Sequence, residues 1–342
     1  MRKSIRNILR GLYFLLLGFA LLSYAAPFVS PDHLPGFAIF GLLYPYLFIV
    51  QVVILLPLLL RRSRTAWFGL AVLVLGFPFL FRIFGVGSEP AVGDSDVSIV
   101  SFNARGTRYE PSTRRPDTIT HEILSPYELI CFQELSRSSF EKLAAPFGQY
   151  ERLYSSEGGR GLLSRYPIVK SGEIDFSESI NGVLWADVEH PLGVFRIYNV
   201  HLESNRVSGE ISELRAQKLD ERETWTEVRA VLGAISRRSA RRAGQVARLR
   251  EHLLASPHPV LVTGDFNDTP YSYTYRQMNQ TLTDGFRRVG RGSGHSFAGA
   301  VPLLRIDYIL ADEHFSFVSY QTLRSLRSDH YPVAARLQFS VD

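Results

Sequence analysis

Val262-Thr263-Gly264-Asp265-Phe266-Asn267 is a β-rich run that closes on an acid and an amide two residues apart, and so on one face of a strand. Other apolar runs end in the same way. Val100-Ser101-Phe102-Asn103 ends in an amide and Cys131-Phe132-Gln133-Glu134 in a carboxylate. Tyr198-Asn199-Val200-His201 ends in an amide and an imidazole on one side. Arg305-Ile306-Asp307-Tyr308 sets an acid inside an apolar strand, and Ser328-Asp329-His330-Tyr331-Pro332 sets an acid beside an imidazole. Any one of these reads most simply as a turn former after a strand. Asp307 does not, because a carboxylate among apolar residues needs a partner. His330 and Arg305 both offer one.

The runs carrying these ends are Val97–Phe102, Leu129–Phe132, Val194–Val200, Val260–Thr263 and Ile306–Leu310, with Val333–Phe339 closing the chain. Helical patterns lie between them, at Thr118–Leu124, Ser138–Ala145, Glu210–Ile235 and Ala243–Ala255. Strands mixed with helices predict a layered α/β domain over residues 95–342. Ser236–Arg242 is a basic run that reads as a solvated helix face. His121, His190, His252, His258 and His314 lack motif context and read as surface residues.

Oxygen and imidazole groups from several strand ends suit a hard cation, Mg²⁺ or Mn²⁺, that also binds phosphate oxygens. The lone cysteine, Cys131, excludes a Cys-based zinc cluster and an internal disulfide. A histidine oriented by a buried acid is a general base for water, and an acid with an amide can position a nucleophile. Together they make a kit for metal-assisted phosphoester hydrolysis.

The ordered set Ser-Phe-Asn103, Gln-Glu134, Gly161-Leu-Leu-Ser164-Arg165-Tyr-Pro-Ile168, Asn199-Val-His201-Leu, Gly264-Asp265-Phe-Asn267-Asp, Ser296-Phe297, Arg305-Ile-Asp307-Tyr and Ser328-Asp329-His330-Tyr-Pro resembles the endonuclease/exonuclease/phosphatase superfamily. The resemblance covers roughly residues 95–340 and implies a four-layer sandwich, two packed mixed β-sheets flanked by helices. It implies metal binding by Asn103, Glu134 and Asp329, with Glu134 the main ligand. Asp265 and Asn267 match the pair that positions the attacking water. Asp307 matches the acid that pairs with the catalytic His330. His201 matches a histidine at the scissile phosphate, with Asn199 beside it as a substrate contact. Arg165 matches a salt-bridge or phosphate-shell position. In this reading the water is deprotonated by His330, or by the metal with Asp265. A non-catalytic domain that binds a phospho-ligand or a protein is the rival reading. Loss of Glu134, Asp265, Asn267, Asp307 or His330 would favour it, and all five are present.

The first 84 residues differ in kind. Leu12–Val29, Phe37–Leu60 and Ala66–Phe84 are apolar stretches near the roughly 20 residues that cross a bilayer, so three transmembrane helices and a bilayer partner are expected. A basic start followed by Ala25-Ala26 also fits a cleavable signal for the first stretch. Arg2, Lys3, Arg6 and Arg10 precede the first stretch, and Arg61, Arg62 and Arg64 separate the second from the third. The loop Ser30–Gly36 has no Lys or Arg. The positive-inside rule then puts both basic segments in the cytoplasm and the large domain outside. Arg82 is expected to snorkel to headgroups, and Gly85–Asp94 reads as a flexible linker.

The whole chain has a formal charge of +5, but eight of its 38 Lys and Arg and only one of its 33 Asp and Glu fall in residues 1–84. The remainder carries 30 bases against 32 acids, a net charge of −2. That excludes reading the chain as a nucleic-acid binder from its charge alone. Nucleic acid and a phospholipid or other small phosphoester both remain open as substrates. No feature calls for an obligate protein partner.

Overall fold

A computed structural model of the chain describes residues 2–87, 96–105, 121–177, 179–205, 221–299, 301–324 and 328–340. Two six-stranded mixed sheets pack face to face. The first has the order β13-β14-β2-β3-β5-β4, built from Phe315–Thr322, Val333–Phe339, Val97–Asn103, Leu129–Gln133, Arg160–Ser164 and Glu151–Ser155. The second has the order β10-β12-β9-β8-β7-β6, built from Thr283–Asp284, Asp307–Ala311, Val260–Asp265, Gly193–His201, Ser179–His190 and Ile168–Phe176. Helices flank the sandwich: α4 (Arg137–Ala144), α5 (Glu221–Leu254), α6 (Tyr273–Met278) and α7 (Gly285–Val289).

The alternation of side chains explains both the layers and the position of the polar ends. Ile99, Cys131, Ile197, Leu261 and Ile309 meet between the sheets. Their sequence neighbours Val100, Ile130, Tyr198, Val262 and Leu310 point the other way, into the outer clusters beneath the helices. Following the inner face along each strand leads from Ile99 to Asn103, from Cys131 to Gln133, from Ile197 to His201, from Leu261 to Asp265 and from Ile309 to Asp307. Register aligns these ends. His201 pairs with Asp265, Asp265 with Asp307, and Asn103 with Gln133. The inner face is therefore apolar over most of its length and turns polar toward one end, where Ser101, Asn199 and Thr263 precede the terminal residues.

Helix α5 is a single helix of 34 residues that joins the two patterns expected over Glu210–Ile235 and Ala243–Ala255. Residues 210–220 of the first pattern and 118–120 of the expected Thr118–Leu124 helix lie outside the described residues, and 121–124 are helical. Ile235, Ser239, Arg242, Val246, Leu249 and Leu253 form the buried face of α5. The basic run is thus no wholly solvated face. Arg242 is 1% exposed, pairs with Asp268 at 3.2 Å and donates to the Glu203 carbonyl at 2.8 Å. His190 is likewise buried rather than on the surface, with Nε2 3.0 Å from the Asp96 carbonyl.

At the N-terminus, α1 (Arg2–Ala25) and α2 (Ala38–Leu60) lie in the apolar stretches Ser4–Phe28 and Pro35–Leu60, each long enough to cross a membrane. The expected third span is corrected. Helix α3 (Arg64–Leu80) has 17 residues, about 25 Å of rise, short of the roughly 30 Å of hydrocarbon. Pro78 lies in its last turn, the helix ends at Leu80, and Phe84–Val86 forms strand β1 against β11 (Arg291–Ser293) of the large domain. Two helices, not three, therefore meet the length. Most side chains on all three helices that face outward are apolar, including Leu9, Val53, Leu60 and Trp67, each more than 60% exposed.

The helices dock on the sandwich at one end. The Tyr44 and Tyr271 rings lie 4.1 Å apart, and the Tyr46 hydroxyl donates to the Pro302 carbonyl. Arg82 turns into the protein instead of toward headgroups. Its guanidinium donates to the Pro270 carbonyl at 2.7 Å, and its own carbonyl accepts from Arg305 at 3.0 Å. The stretch read as a linker thus begins with strand residues, and 88–95 lie outside the described residues. Gly41 permits the close approach, since a Cβ there would sit 2.6 Å from the Tyr271 carbonyl oxygen. Gly41→Val in the full chain is expected to cost about 1–3 kcal/mol through overpacking. Thermal unfolding in detergent measures it, and an unchanged midpoint would refute this docking.

Candidate active site

Gly264 explains why an acid stands beside His201. Its φ is +133°, and a Cβ would lie 2.0 Å from the Val200 carbonyl oxygen. Only glycine lets β9 run this close to β8, and the next residue, Asp265, emerges at the polar end. Glu134 and Asn267 both hold left-handed backbone, with φ of +57° and +51°. For residues other than glycine this is a strained conformation of the kind that clusters at functional sites.

Asp265 is fully buried and lies at the centre. Its Oδ1 accepts from the Asn267 amide at 2.8 Å and its Oδ2 from Asn103 Nδ2 at 2.9 Å. Asn103 Nδ2 also reaches Glu134 Oε1 at 3.1 Å. Two imidazoles face Asp265 Oδ2, with His201 Nε2 at 3.9 Å and His330 Nε2 at 3.8 Å. His330 Nδ1 is held by Asp307 Oδ2 at 2.9 Å, and the Phe297 ring stands edge-on to the imidazole. The choice open in the sequence is thereby resolved. Asp307 pairs with His330, while Arg305 pairs with Asp284 at 2.6 Å.

Charge divides unequally between the imidazoles. Burial opposes a proton on His330, but the Asp307 and Asp265 carboxylates outweigh it and raise its pKa well above the usual histidine value. Burial, then the charges of His330 and Arg160, lowers His201 to about 3. One site thus holds an imidazolium and a neutral imidazole. Burial raises the Asp265 pKa, against the opposing effect of His330.

Glu134, His201 and Asp265 offer ligand atoms within 4.8 Å of one another, as do Asp265, Asp307 and His330. Among the described residues neither buried ring nitrogen of His201 has a hydrogen-bond partner, although Nε2 lies 3.5 Å from Glu134 Oε1, and such burial is costly unless something else satisfies them. Oxygen and neutral imidazole donors around an orphaned side chain fit a divalent cation held by Glu134, Asp265 and His201.

The other expected residues are distributed around this centre. Asn267 Nδ2 donates to the Leu202 carbonyl at 2.9 Å, so its amide is tied to the backbone at the cleft wall. Asp329 lies to one side, 3.9 Å from Arg105, which also pairs with Glu134 at 3.3 Å. Asn199 does not reach the cleft. Its inner-face position buries it between the sheets, where it donates to the Phe132 and Gly161 carbonyls and accepts from Gln133. Arg165 pairs with Glu128 and Tyr150, away from the site.

Several residues at the site take roles that sequence does not assign, although Ser296 and Ser328 stand in the motifs quoted above. The Ser296 hydroxyl accepts from the Ile306 and Asp307 amides and so fixes the start of β12. The Ser328 hydroxyl donates to the Asn103 carbonyl, joining the His330 loop to β2. Arg105, Arg238 and Arg241 line the cleft, which has a volume of about 1020 Å³. The basic run on α5 was visible in sequence, but not that α5 lies over this end of the sandwich.

A family model described as the endonuclease/exonuclease/phosphatase family matches residues 100–330. A second, described as a domain of unknown function, matches residues 6–83. No curated protein matches the chain. Among solved structures, an endonuclease/exonuclease/phosphatase from Bacteroides vulgatus superposes with a TM-score of 0.53 at 20% identity, over 72% of this chain and 100% of that one. The human Nocturnin catalytic domain with bound sulfate gives 0.52 at 16% identity, over 75% and 97%. A protein of the same family from Leptotrichia buccalis gives 0.51 at 14% identity, over 71% and 100%. At these identities the likeness is one of fold.

Proposed function

The chain belongs to the endonuclease/exonuclease/phosphatase family, and from that premise we propose a membrane-anchored, Mg²⁺- or Mn²⁺-dependent phosphoester hydrolase. The observation that carries this reading is the meeting of Asn103, Glu134, His201, Asp265, Asp307 and His330 at one end of both sheets. A cation bound there supplies Lewis-acid stabilisation of charge on phosphoryl oxygens. Glu134 is its main ligand, with Asp265 and His201 completing the protein's donor set and Asn103 orienting Glu134.

The charges assign the proton chemistry. Asp265, with its pKa raised by burial, is a carboxylate whose Oδ2 takes a proton from the attacking water. His330, kept protonated by Asp307, donates from Nε2 to the phosphoryl group as negative charge grows. Asn267 holds Asp265 through its backbone amide. Asp329 acts through Arg105, which it shares with Glu134. The test is a screen of the purified full chain with Mg²⁺ or Mn²⁺ against DNA, RNA, sphingomyelin, phosphoinositides and a chromogenic phosphodiester. Hydrolysis of at least one supports the reading, and inertness toward all of them sinks it.

Exposed apolar faces on α1 and α2 support anchoring, because soluble core helices hide such faces. The side of the membrane follows from the two ends of α2. Tyr44 and Tyr46, in its N-terminal part, touch the sandwich, and Arg61 lies about 23–26 Å of rise further on, followed by Arg62 and Arg64. The positive-inside rule assigns the arginine end to the cytoplasm and the docked domain to the opposite side, which requires α3, at 17 residues short of a full span, to return the chain to the sandwich at Arg82 through a locally thinned bilayer. A reporter active only outside the cytoplasm, fused after Asp342, is expected to be active. Activity from a cytoplasmic reporter alone would reverse the assignment.

A further inference from the structure

The cleft above the catalytic cluster has three kinds of wall. Its floor presents Glu134, His201 and His330. Arg105, Arg238 and Arg241 form a polar wall with Glu203 and Asp268, Arg105 pairing with Glu134 and Asp329 and Arg241 with Glu203. The third wall is apolar, formed by Ile180, Val301, Leu304 and Leu42. Leu42 does not belong to the sandwich. It is the fifth residue of α2, about 6 Å of rise from the helix start. Its helix is fixed to the cleft by Tyr46, which donates to the Pro302 carbonyl in the loop leading to Asp307. Ile180 projects from the site end of β7 and is 72% exposed.

A small soluble phosphoester has no use for an apolar wall contributed by an anchor helix. A nucleic acid calls for an extended basic track, whereas residues 85–342 carry a net charge of −2. A lipid phosphoester combines the two chemistries in one molecule, and the anchor reading above brings the bilayer surface to the end of α2 that lines the cleft. We propose that the substrate is a membrane phospholipid. Its headgroup phosphate reaches Glu134, His201 and His330, while its glycerol and upper acyl segments lie against Leu42, Ile180 and Val301. The inference rests on the hydrolase and anchor readings above. In the reaction, the oxygen of water bonds to phosphorus and the P–O ester bond breaks. The leaving oxygen takes one proton of that water, giving an alcohol and the phosphate-bearing product.

The test uses the full chain with Mg²⁺ in vesicles of equal parts phosphatidylcholine, phosphatidylethanolamine, phosphatidylglycerol and phosphatidylinositol. At least one lipid is expected to be hydrolysed roughly tenfold or more faster than its deacylated glycerophosphodiester, the effect of one or two methylenes held on an apolar wall. Leu42→Trp is expected to lower the ratio of lipid turnover to bis(p-nitrophenyl) phosphate turnover. Equal or faster hydrolysis of the deacylated compounds, cleavage of single-stranded DNA in place of lipid, or an unmoved ratio would overturn the proposal. A second arm is independent of catalysis. A photoreactive residue at position 180 in the Glu134→Ala chain is expected to give a lipid adduct. The same residue at position 192, in the turn that follows the far end of β7, is expected to give none. No adduct at 180, or equal adducts at both, rejects the lipid route even if the hydrolase reading stands. An adduct at 180 with every phosphoester inert leaves lipid access supported and the hydrolase reading refuted.

Discussion

Glu134→Ala in the full chain is expected to cut Mg²⁺- or Mn²⁺-supported turnover by roughly 10³-fold or more, since Lewis-acid stabilisation is worth several kcal/mol of barrier. Glu134 touches both Asn103 and Arg105, so a loss of activity alone would not separate metal binding from local collapse. Thermal unfolding makes the separation. In wild type, saturating Mn²⁺ should raise the midpoint, because a ligand at about 100 times its Kd stabilises by about 2.7 kcal/mol. In the variant the midpoint should not respond. With chelator present, the variant should be at least as stable as wild type, since it removes one carboxylate from a cluster that includes buried Asp265. A purely structural Glu134 would instead lower the metal-free midpoint and leave the metal response intact. Full hydrolysis in excess chelator, or stoichiometric zinc on the purified chain, would end the Mg²⁺/Mn²⁺ assignment.

The meeting of Asn103, Glu134, His201 and Asp265 was legible in sequence because these residues stand at strand ends, where a period of two and a polar terminus are both local signals. Val333–Phe339 is read with its bounds unchanged, and Asp307 is marked as needing a partner by its apolar neighbours. What sequence hides is non-local. The hairpin Ile168–His190 is unread because Lys170, Glu173 and Asp175 interrupt the apolar alternation of β6, its outermost strand. Arg242 sits in a run that looks solvated, and only the fold brings Asp268 and the Glu203 carbonyl to it. Asn199 and His201 share a face in sequence as in structure. Two residues of strand decide that one amide is spent between the sheets while the imidazole reaches the cleft. The end of α3 depends on pairing between Phe84–Val86 and Arg291–Ser293, about 200 residues apart, which no window along the chain reveals.

His330→Ala is expected to lower kcat by roughly 10²–10⁴-fold, the usual contribution of a proton-transferring or charge-stabilising side chain. His330 is 3% exposed and Asp307 2%, and the two are joined by a bond of 2.9 Å. Removing His330 therefore leaves Asp307 buried without its partner, and some stability will be lost with it. Asp307→Asn keeps the volume and separates the effects. The carboxylate does two things to the ring. It accepts from Nδ1, which leaves Nε2 as the nitrogen facing Asp265, and it favours the protonated form. Asparagine weakens both, so kcat should fall while metal-induced stabilisation persists. The pH dependence carries the sign. Wild-type His330 has its pKa raised by Asp307 and Asp265, so its proton is retained through neutral pH. Without the Asp307 charge that proton leaves at lower pH, and the alkaline limb of the kcat profile should move toward neutrality. If His330 worked as the neutral base instead, Asp307→Asn would extend the active range toward acid. The losses in His330→Ala and Asp307→Asn should be strongly non-additive, because the two side chains act as one unit. Full additivity, or wild-type kcat in a folded His330→Ala chain, would dissolve the pair as a catalytic element.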